Sequence, residues 1–278
     1  MENNLQTDRQ TDRQTDRQTD RQTDRQTVPV LRWIGGKSRL AKKIIATLPA
    51  HTCYVEPFCG GAAIFLKKPP SKVEVINDIN GELINLYRCL KYHHDEVIKE
   101  MQWALHSRDL FNELNAPIRK GMTDIQRAGR FYTLNKLAFG AKMPQPNFGY
   151  CRQHRQPLVQ SNILQDIVRM NKRLNGVCIE NTSWQDCIRR YDSKDTLFYC
   201  DPPYFKTIGY GIDFGLEHYQ EMAAFAQSIK GKMLISVNDI PEMHTIFSSL
   251  AMERLEISYS LSSTKTHMKS GDLLIRNF

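Results

Sequence analysis

The segment Asp201-Pro202-Pro203-Tyr204 combines residue types that could do chemistry. It follows the apolar run Leu197-Phe198-Tyr199-Cys200, at the carboxyl end of an expected buried strand, where open α/β sheets bind ligands. Two consecutive prolines stiffen the backbone, remove two N–H donors and leave carbonyls facing outward. A carboxylate beside a fixed carbonyl offers two acceptors and no donor, which suits an exocyclic amine carrying two hydrogens. Tyr204 adds a ring face on which a base can stack. The same residues also suit a plain strand-ending turn, in which Asp201 caps and the prolines stop pairing.

A second constellation lies nearer the N-terminus. Glu56-Pro57-Phe58-Cys59-Gly60-Gly61 follows a short strand, Cys53-Tyr54-Val55, and precedes a helix start. Its glycines let a ligand approach the backbone, and its acid can receive an ammonium group. The GxGxxG spacing of dinucleotide sites is missing, which disfavours a pyrophosphate. Asp78 closes the next strand, Val73-Glu74-Val75-Ile76, where a carboxylate can accept both hydroxyls of a ribose. Loop and acid together suggest a nucleoside-like cofactor without a pyrophosphate. Before the first helix stands Arg32-Trp33-Ile34-Gly35-Gly36-Lys37; by itself this segment favours a core tryptophan and a surface lysine.

The elements that position these groups follow from apolar spacing. Leu40, Ile44, Ile45 and Leu48 predict a helix from Ser38 that ends before Pro49, and a longer helix is expected over 81–101. Helical patterns at 125–139 and 163–174 flank a loop over 140–157 rich in Pro, Gln, Asn and Gly. Strands are expected at 177–179, 197–200 and 233–237, with a helix over 216–229, and 255–261 with 273–278 as an antiparallel pair. This order predicts an α/β sheet covered on both faces. Residues 102–175 form a mainly helical insert between two parts, 28–101 and 176–278, of one catalytic domain.

Charge separates that insert from the rest. The chain carries a formal net charge of +8. The window 127–173 holds nine basic residues (Arg127, Arg130, Lys136, Lys142, Arg152, Arg155, Arg169, Lys172 and Arg173) against one acid, Asp166. A single-sign excess of this kind points to a polyanion such as nucleic acid. No apolar run reaches the roughly 18 residues a membrane helix needs. Seven cysteines form no CxxC pair and no metal-ligand cluster, so reduced thiols, a cytoplasmic setting and no bound metal are expected.

The three motifs, in this order, resemble the Dam-type (D12 class) DNA adenine-N6 methyltransferases, and the likeness runs from Leu31 to Phe278. The resemblance implies a Rossmann-like methyltransferase sheet with a terminal antiparallel hairpin strand and an inserted target-recognition module. It implies S-adenosyl-L-methionine as methyl donor and duplex DNA as partner, in a DNA-associated protein of bacterial or phage origin, monomeric in solution. A cognate restriction endonuclease is a further partner it allows. Carried over by motif, Trp33, Lys37, Glu56, Phe58, Gly60, Gly61 and Asp78 contact the cofactor, and Trp184 and Asp186 flank its adenine. Asp201, Pro202, Pro203 and Tyr204 carry catalysis, and Tyr210 follows in the loop. For DNA the candidates are Arg127, Arg130, Lys136, Lys142, Arg152, Arg155 and Tyr210, with Arg152 and Arg155 suited to guanine edges. The residues after Phe139 (GAKMPQPNFGYCRQH) depart from the segment of GATC readers, so the resemblance assigns a reaction and leaves the target sequence open.

Rival readings keep the amine chemistry on cytosine N4, an RNA adenine or a protein glutamine, or keep DNA binding and lose catalysis. The basic insert favours nucleic acid over protein, and every carried catalytic position is chemically intact.

Residues 7–26 are five copies of Thr-Asp-Arg-Gln. The repeat offers nothing apolar to bury, so disorder is expected over 1–27. Thr-Asp-Arg-Gln can be encoded as ACA GAC AGA CAG, a tetranucleotide read three times, which accounts for both the period and the identity of the copies. Slippage in such a tract shifts the downstream frame and switches expression. The gene should therefore show an uninterrupted tetranucleotide array, and a chain started near Val28 should keep full activity; synonymous codons that break the array would leave only a polar linker.

Overall fold

A computed structural model describes residues 29–102, 104, 106–141, 143, 146–149, 160–206, 214–256 and 271–278. Among these residues, seven strands form one sheet: β1 Cys53–Glu56, β2 Val73–Asn77, β3 Cys178–Glu180, β4 Thr196–Cys200, β5 Lys232–Asn238, β6 Ala251–Glu256 and β7 Gly271–Arg276. Their spatial order is β3-β2-β1-β4-β5-β7-β6. β1 to β5 pair in parallel, while β7 runs antiparallel between β5 and β6. The winding reverses between β1 and β4, and such a switch point opens a crevice at the strands' carboxyl ends. Glu56 and Asp201 stand at those two ends.

The sheet is Rossmann-like, as expected, and its two faces pack into two cores. Along β4, Leu197 and Tyr199 enter one and Phe198 and Cys200 the other, the period-2 alternation of a strand covered on both sides. The helices are α1 Ala41–Ala46, α2 Ala63–Lys67, α3 Gly81–Tyr92, α4 His94–Met101, α5 Arg108–Asn115, α6 Asp124–Leu137, α7 Gln160–Leu174, α8 Trp184–Tyr191, α9 Leu216–Ser228 and α10 Pro241–Ile246. The first core takes Ile44, Phe65, Ile84, Tyr87 and Leu90, the second Tyr219, Met222 and Phe247.

Several expectations change. The long helix over 81–101 breaks at His93 (φ −137°, ψ 37°), giving α3 and α4. The helix from Ser38 becomes a 3₁₀ turn, Lys37–Arg39, followed by the short α1. The terminal pair starts at Ala251, before the apolar stretch that suggested it, and residues 257–270 lie outside the described residues.

The insert is also less separate than its charge suggested. Ile163, Ile167, Met170 and Leu174 of α7, with Ala128, Phe131 and Tyr132 of α6, are buried in the same core as the sheet residues Tyr54 and Ile76. A distinct cluster forms around Phe111, Leu134 and Leu137, with Leu114, Met143 and Phe148 against it. No helix of the described residues is long and apolar enough to cross a membrane.

Part of the basic window holds this packing together. Arg173 ion-pairs with Glu74, donates to the Phe65 carbonyl at 2.7 Å and stacks its guanidinium 3.7 Å over the Phe65 ring. Lys68 pairs with the same carboxylate. Removing one partner of a buried ion pair strands the others. Arg173→Ala should therefore cost about 3 kcal/mol of unfolding free energy in urea titration; an unchanged midpoint would show that this network contributes nothing.

Candidate active site

The glycine loop is tied down from both sides. Gly60 donates its N–H to Asp78 Oδ2 at 3.0 Å and accepts from the Tyr87 hydroxyl at 2.7 Å. Its φ of +44° is a conformation glycine adopts without strain, and a Cβ there would run into the Trp33 indole. At Gly61 a Cβ would come within 2.9 Å of Trp33 Cβ. Asn77 locks the neighbourhood: its amide nitrogen donates to Pro57 O at 2.9 Å and Thr182 O at 3.1 Å, and its oxygen accepts from Thr182 N at 3.0 Å. One buried side chain thus joins the loop after β1 to the segment before α8. Trp33 is placed from the other direction, because Asn135 of α6 pairs with both the N–H and the C=O of Arg32.

Loop, acids and Asp-Pro-Pro-Tyr motif share one cavity of about 1390 Å³. Trp33, Lys37, Glu56, Phe58, Gly60, Gly61, Asp78, Trp184, Asp201, Pro203 and Tyr204 all contribute to its wall. Pro202 is buried behind it, and the Tyr219 hydroxyl donates to the Pro203 carbonyl. Asp186 departs from expectation. It is exposed on α8, where it accepts a hydrogen bond from Ser183 Oγ at 2.7 Å and pairs with Arg189 at 3.1 Å, while its neighbours Ser183 and Gln185 face the cavity. The cause is helix capping: Ser183 is the N-cap of α8, and Asp186 completes the first turn.

At the carboxyl end of β4, Lys37 Nζ lies 2.7 Å from Asp201 Oδ1, 3.9 Å from Asp272 Oδ2 and 4.3 Å above the Tyr204 ring. The ammonium stands off the carboxylate's hydrogen-bonding direction, so the contact is an ion pair rather than an aligned hydrogen bond. Burial pushes Asp201 up to about 6, although Lys37 pulls the other way. Burial likewise raises Asp78 and Asp272 above the usual carboxylate range. Glu56 Oε1 accepts from the Tyr54 hydroxyl and the Phe65 N–H, each at 2.7 Å, yet burial still drives this carboxyl up to about 7. Asp272, at the start of β7, escaped sequence reasoning because nothing local marks it; only the antiparallel path of β7 carries it to this end of the sheet.

The expected DNA contacts are divided. Arg127 is paired with Glu82 and Asp124, fastening α6 to α3, and Arg169 is paired with Asp166. These charges are neutralised within the fold, against the expectation for Arg127. Lys136 is half-buried over the Tyr132 ring. Arg130 lines the cavity, joined by Arg32 and Arg39, which lie outside the basic window. Phe139, at a tight turn, is 68% exposed. Lys142, Arg152, Arg155 and Tyr210 lie outside the described residues.

A switch-point cavity that joins a glycine loop, two strand-end acids and an amine-accepting motif defines an enzyme with a nucleoside cofactor. The profile of the D12 class N6 adenine-specific DNA methyltransferases matches residues 33–262, and the chain belongs to that family. The Type II methyltransferase M1.LlaDCHI of Lactococcus lactis subsp. cremoris is 28% identical over 63% of this chain and 65% of its own length. The DNA adenine methylase of Haemophilus influenzae is 27% identical over 84% and 87%. The solved structure of SMU.472 complexed with SAH shares 13% identity over 87% of this chain and 52% of that one, with a TM-score of 0.37. The reaction is site-specific methylation of adenine N6 in DNA, with S-adenosylmethionine as donor.

The cavity suits that donor. Its volume exceeds the roughly 300–1,000 Å³ of common ligand sites, leaving room for a cofactor and a base together. Phe58 and Trp184 face each other at 6.1 Å along one wall, and the buried indole N–H of Trp184 has no hydrogen-bond partner among the described residues. Glu56 gives a stability test with a definite sign. A carboxyl raised from 4.5 to about 7 makes the folded state lose stability as pH rises across that window, by on the order of 3 kcal/mol. Glu56→Gln keeps an acceptor for Tyr54 and Phe65 and removes the titration. Its melting temperature should fall less than that of the parent between pH 5 and pH 8; equal falls would show that Glu56 titrates normally.

Proposed function

We propose that Asp201 and the Pro202 carbonyl accept the two hydrogens of the adenine amine while Tyr204 stacks on the base. The observation that carries this reading is the placement of the Asp201 carboxylate and the Tyr204 ring in the same cavity as the glycine loop and Asp78. Inside a duplex N6 is out of reach, so the target base leaves the stack and enters the cavity, at a cost of a few kcal/mol. Stacking on Tyr204 offsets part of that, about 1–3 kcal/mol by analogy with single-strand binding.

When bound, S-adenosylmethionine supplies an electrophilic methyl group on its sulfonium. Trp33, Phe58, Gly60, Gly61 and Trp184 would line its site, Glu56 would hold the adjoining loop, and Asp78 would receive its ribose. The amine is a poor nucleophile because its lone pair is delocalised into the ring. Hydrogen bonds to Asp201 and the Pro202 carbonyl draw it towards a tetrahedral shape and stabilise the positive charge that develops on N6. Holding N6 in line for transfer adds a proximity effect.

DNA is held at the cavity mouth by Arg32, Arg39 and Arg130, while the loop over 140–157 reads bases, with Lys142, Arg152 and Arg155 as its cations. Residues 102–175 thus contribute target recognition on a frame shared with the catalytic core. The enzyme acts as a monomer. A restriction endonuclease of matching specificity accompanies it, a pairing supported by the type II designation of the Lactococcus relative. Expression is phase-variable through the Thr-Asp-Arg-Gln repeat.

The test uses labelled cofactor and duplex DNA digested to nucleosides. Label should appear in N6-methyladenine; label only in methylcytosine, or only with RNA, would sink the reading. Asp201→Ala should abolish transfer and leave duplex binding within about twofold. In the parent enzyme the rate should drop as pH falls through about 6, where Asp201 takes up a proton and ceases to be a full acceptor. Near-parental turnover by Asp201→Ala would refute the mechanism.

A further inference from the structure

The order of the strands gives the methyl donor a direction along the crevice. Its methyl group has to reach the end of β4, where Asp201 and Tyr204 stand, while Asp78 follows β2, on the far side of β1. A ribose held at Asp78 therefore leaves the donor's own adenine to the side of β3. The segment between β3 and α8 is fastened there by the end of β2. Asn77 bonds both the N–H and the C=O of Thr182, and Asn181 donates to Asp78 O at 2.7 Å. The next three residues, Ser183, Trp184 and Gln185, line the cavity.

An adenine edge needs an acceptor for its amine. The Trp184 side chain can only donate. Ser183 Oγ is engaged in the helix cap, accepting from the Asp186 N–H at 3.1 Å and donating to Asp186 Oδ2 at 2.7 Å. Gln185 is different. Its amide nitrogen donates to Glu221 Oε2 of α9 at 2.8 Å, and its side chain makes no other hydrogen bond among the described residues. A carboxylate only accepts, so Glu221 holds the nitrogen end of the amide and leaves the oxygen end over. We propose that Gln185 selects the adenine of the methyl donor, its amide oxygen accepting from the adenine amine, and that Glu221 is the positioning residue that keeps the amide this way round. The inference rests on the cofactor reading above and fills the place that the exposed Asp186 leaves open. A purine with a carbonyl in place of the amine would set oxygen against oxygen. Turning the amide over to suit it would break the bond to Glu221.

Calorimetric titration of the full-length protein tests this without turnover. The two ligands are S-adenosylhomocysteine, the demethylated cofactor, and S-inosylhomocysteine, in which a carbonyl replaces the adenine amine. The parent should bind the adenine form about 10- to 100-fold more tightly. Gln185→Leu should bring that preference below about threefold, weakening the adenine form and leaving the deaminated one within about twofold. Glu221→Gln keeps the size of the side chain but can hold either end of the Gln185 amide, so the deaminated ligand should gain on the adenine form by about threefold or more. Because the readout is a ratio of two ligands in one protein, a variant that merely loosens the fold leaves it unchanged. A parent with no preference, or variants that weaken both ligands equally, would overturn the assignment. A parent that binds neither ligand would refute the cofactor reading itself.

Discussion

The proposed mechanism depends on one constraint: Asp201 has to remain an ionised acceptor in a place that disfavours ionisation. Burial lifts its carboxyl to about 6, so at neutral pH it is charged but with little margin. A more solvated aspartate would ionise more readily, and water would compete with the amine for its lone pairs. A drier one, without Lys37 beside it, would stay protonated and present a donor where an acceptor is needed. The neighbouring lysine therefore favours the charged form.

The second requirement is a loop that does not move. Gly60 is held at its N–H by Asp78 and at its C=O by Tyr87, while Asn77 binds the loop before it and Thr182 across the sheet. These bonds come from adjacent residues at the end of β2 and from one face of α3. Asp78 has a hydrogen bond on each oxygen, to Gly60 N–H at 3.0 Å and to Asn80 N–H at 2.9 Å, so a ribose has to use its remaining lone pairs. The acid proposed to receive the ribose is thus also the acid that shapes the loop. This coupling explains why loop and acid are close in sequence.

What could be read from the chain follows from how local each signal is. The parallel strands and the Asp-Pro-Pro-Tyr turn announce themselves through apolar runs ended by distinctive residues. The capped α8 did not, because Trp184–Tyr191 carries too few apolar residues over too short a length to stand out by spacing. Asp186, which the resemblance pairs with Trp184 beside the cofactor adenine, lies exposed and accepts from the capping serine three residues earlier, a partner that the motif does not reveal. Asp272 was invisible because its meaning depends on which way β7 runs. Strand direction is a property of the whole sheet.

Charge shows the same limit in a sharper form. Counted along the chain, the segment 127–173 is almost purely basic. In the fold, Glu74 and Glu82 reach it from β2 and α3 and neutralise Arg173 and Arg127. At the same time Arg32 and Arg39, which lie outside that segment, join Arg130 at the cavity. A charge held within hydrogen-bond distance of a buried or half-buried acid releases few counterions when a polyanion arrives, so it adds little to salt-dependent binding. The count along the sequence agrees with a DNA substrate, but two of the arginines it includes, Arg127 and Arg173, are paired within the fold. The arginines proposed to hold a duplex, Arg32, Arg39 and Arg130, line the cavity, whereas Arg127 and Arg173 fasten α6 and α7 to the acids of α3 and β2.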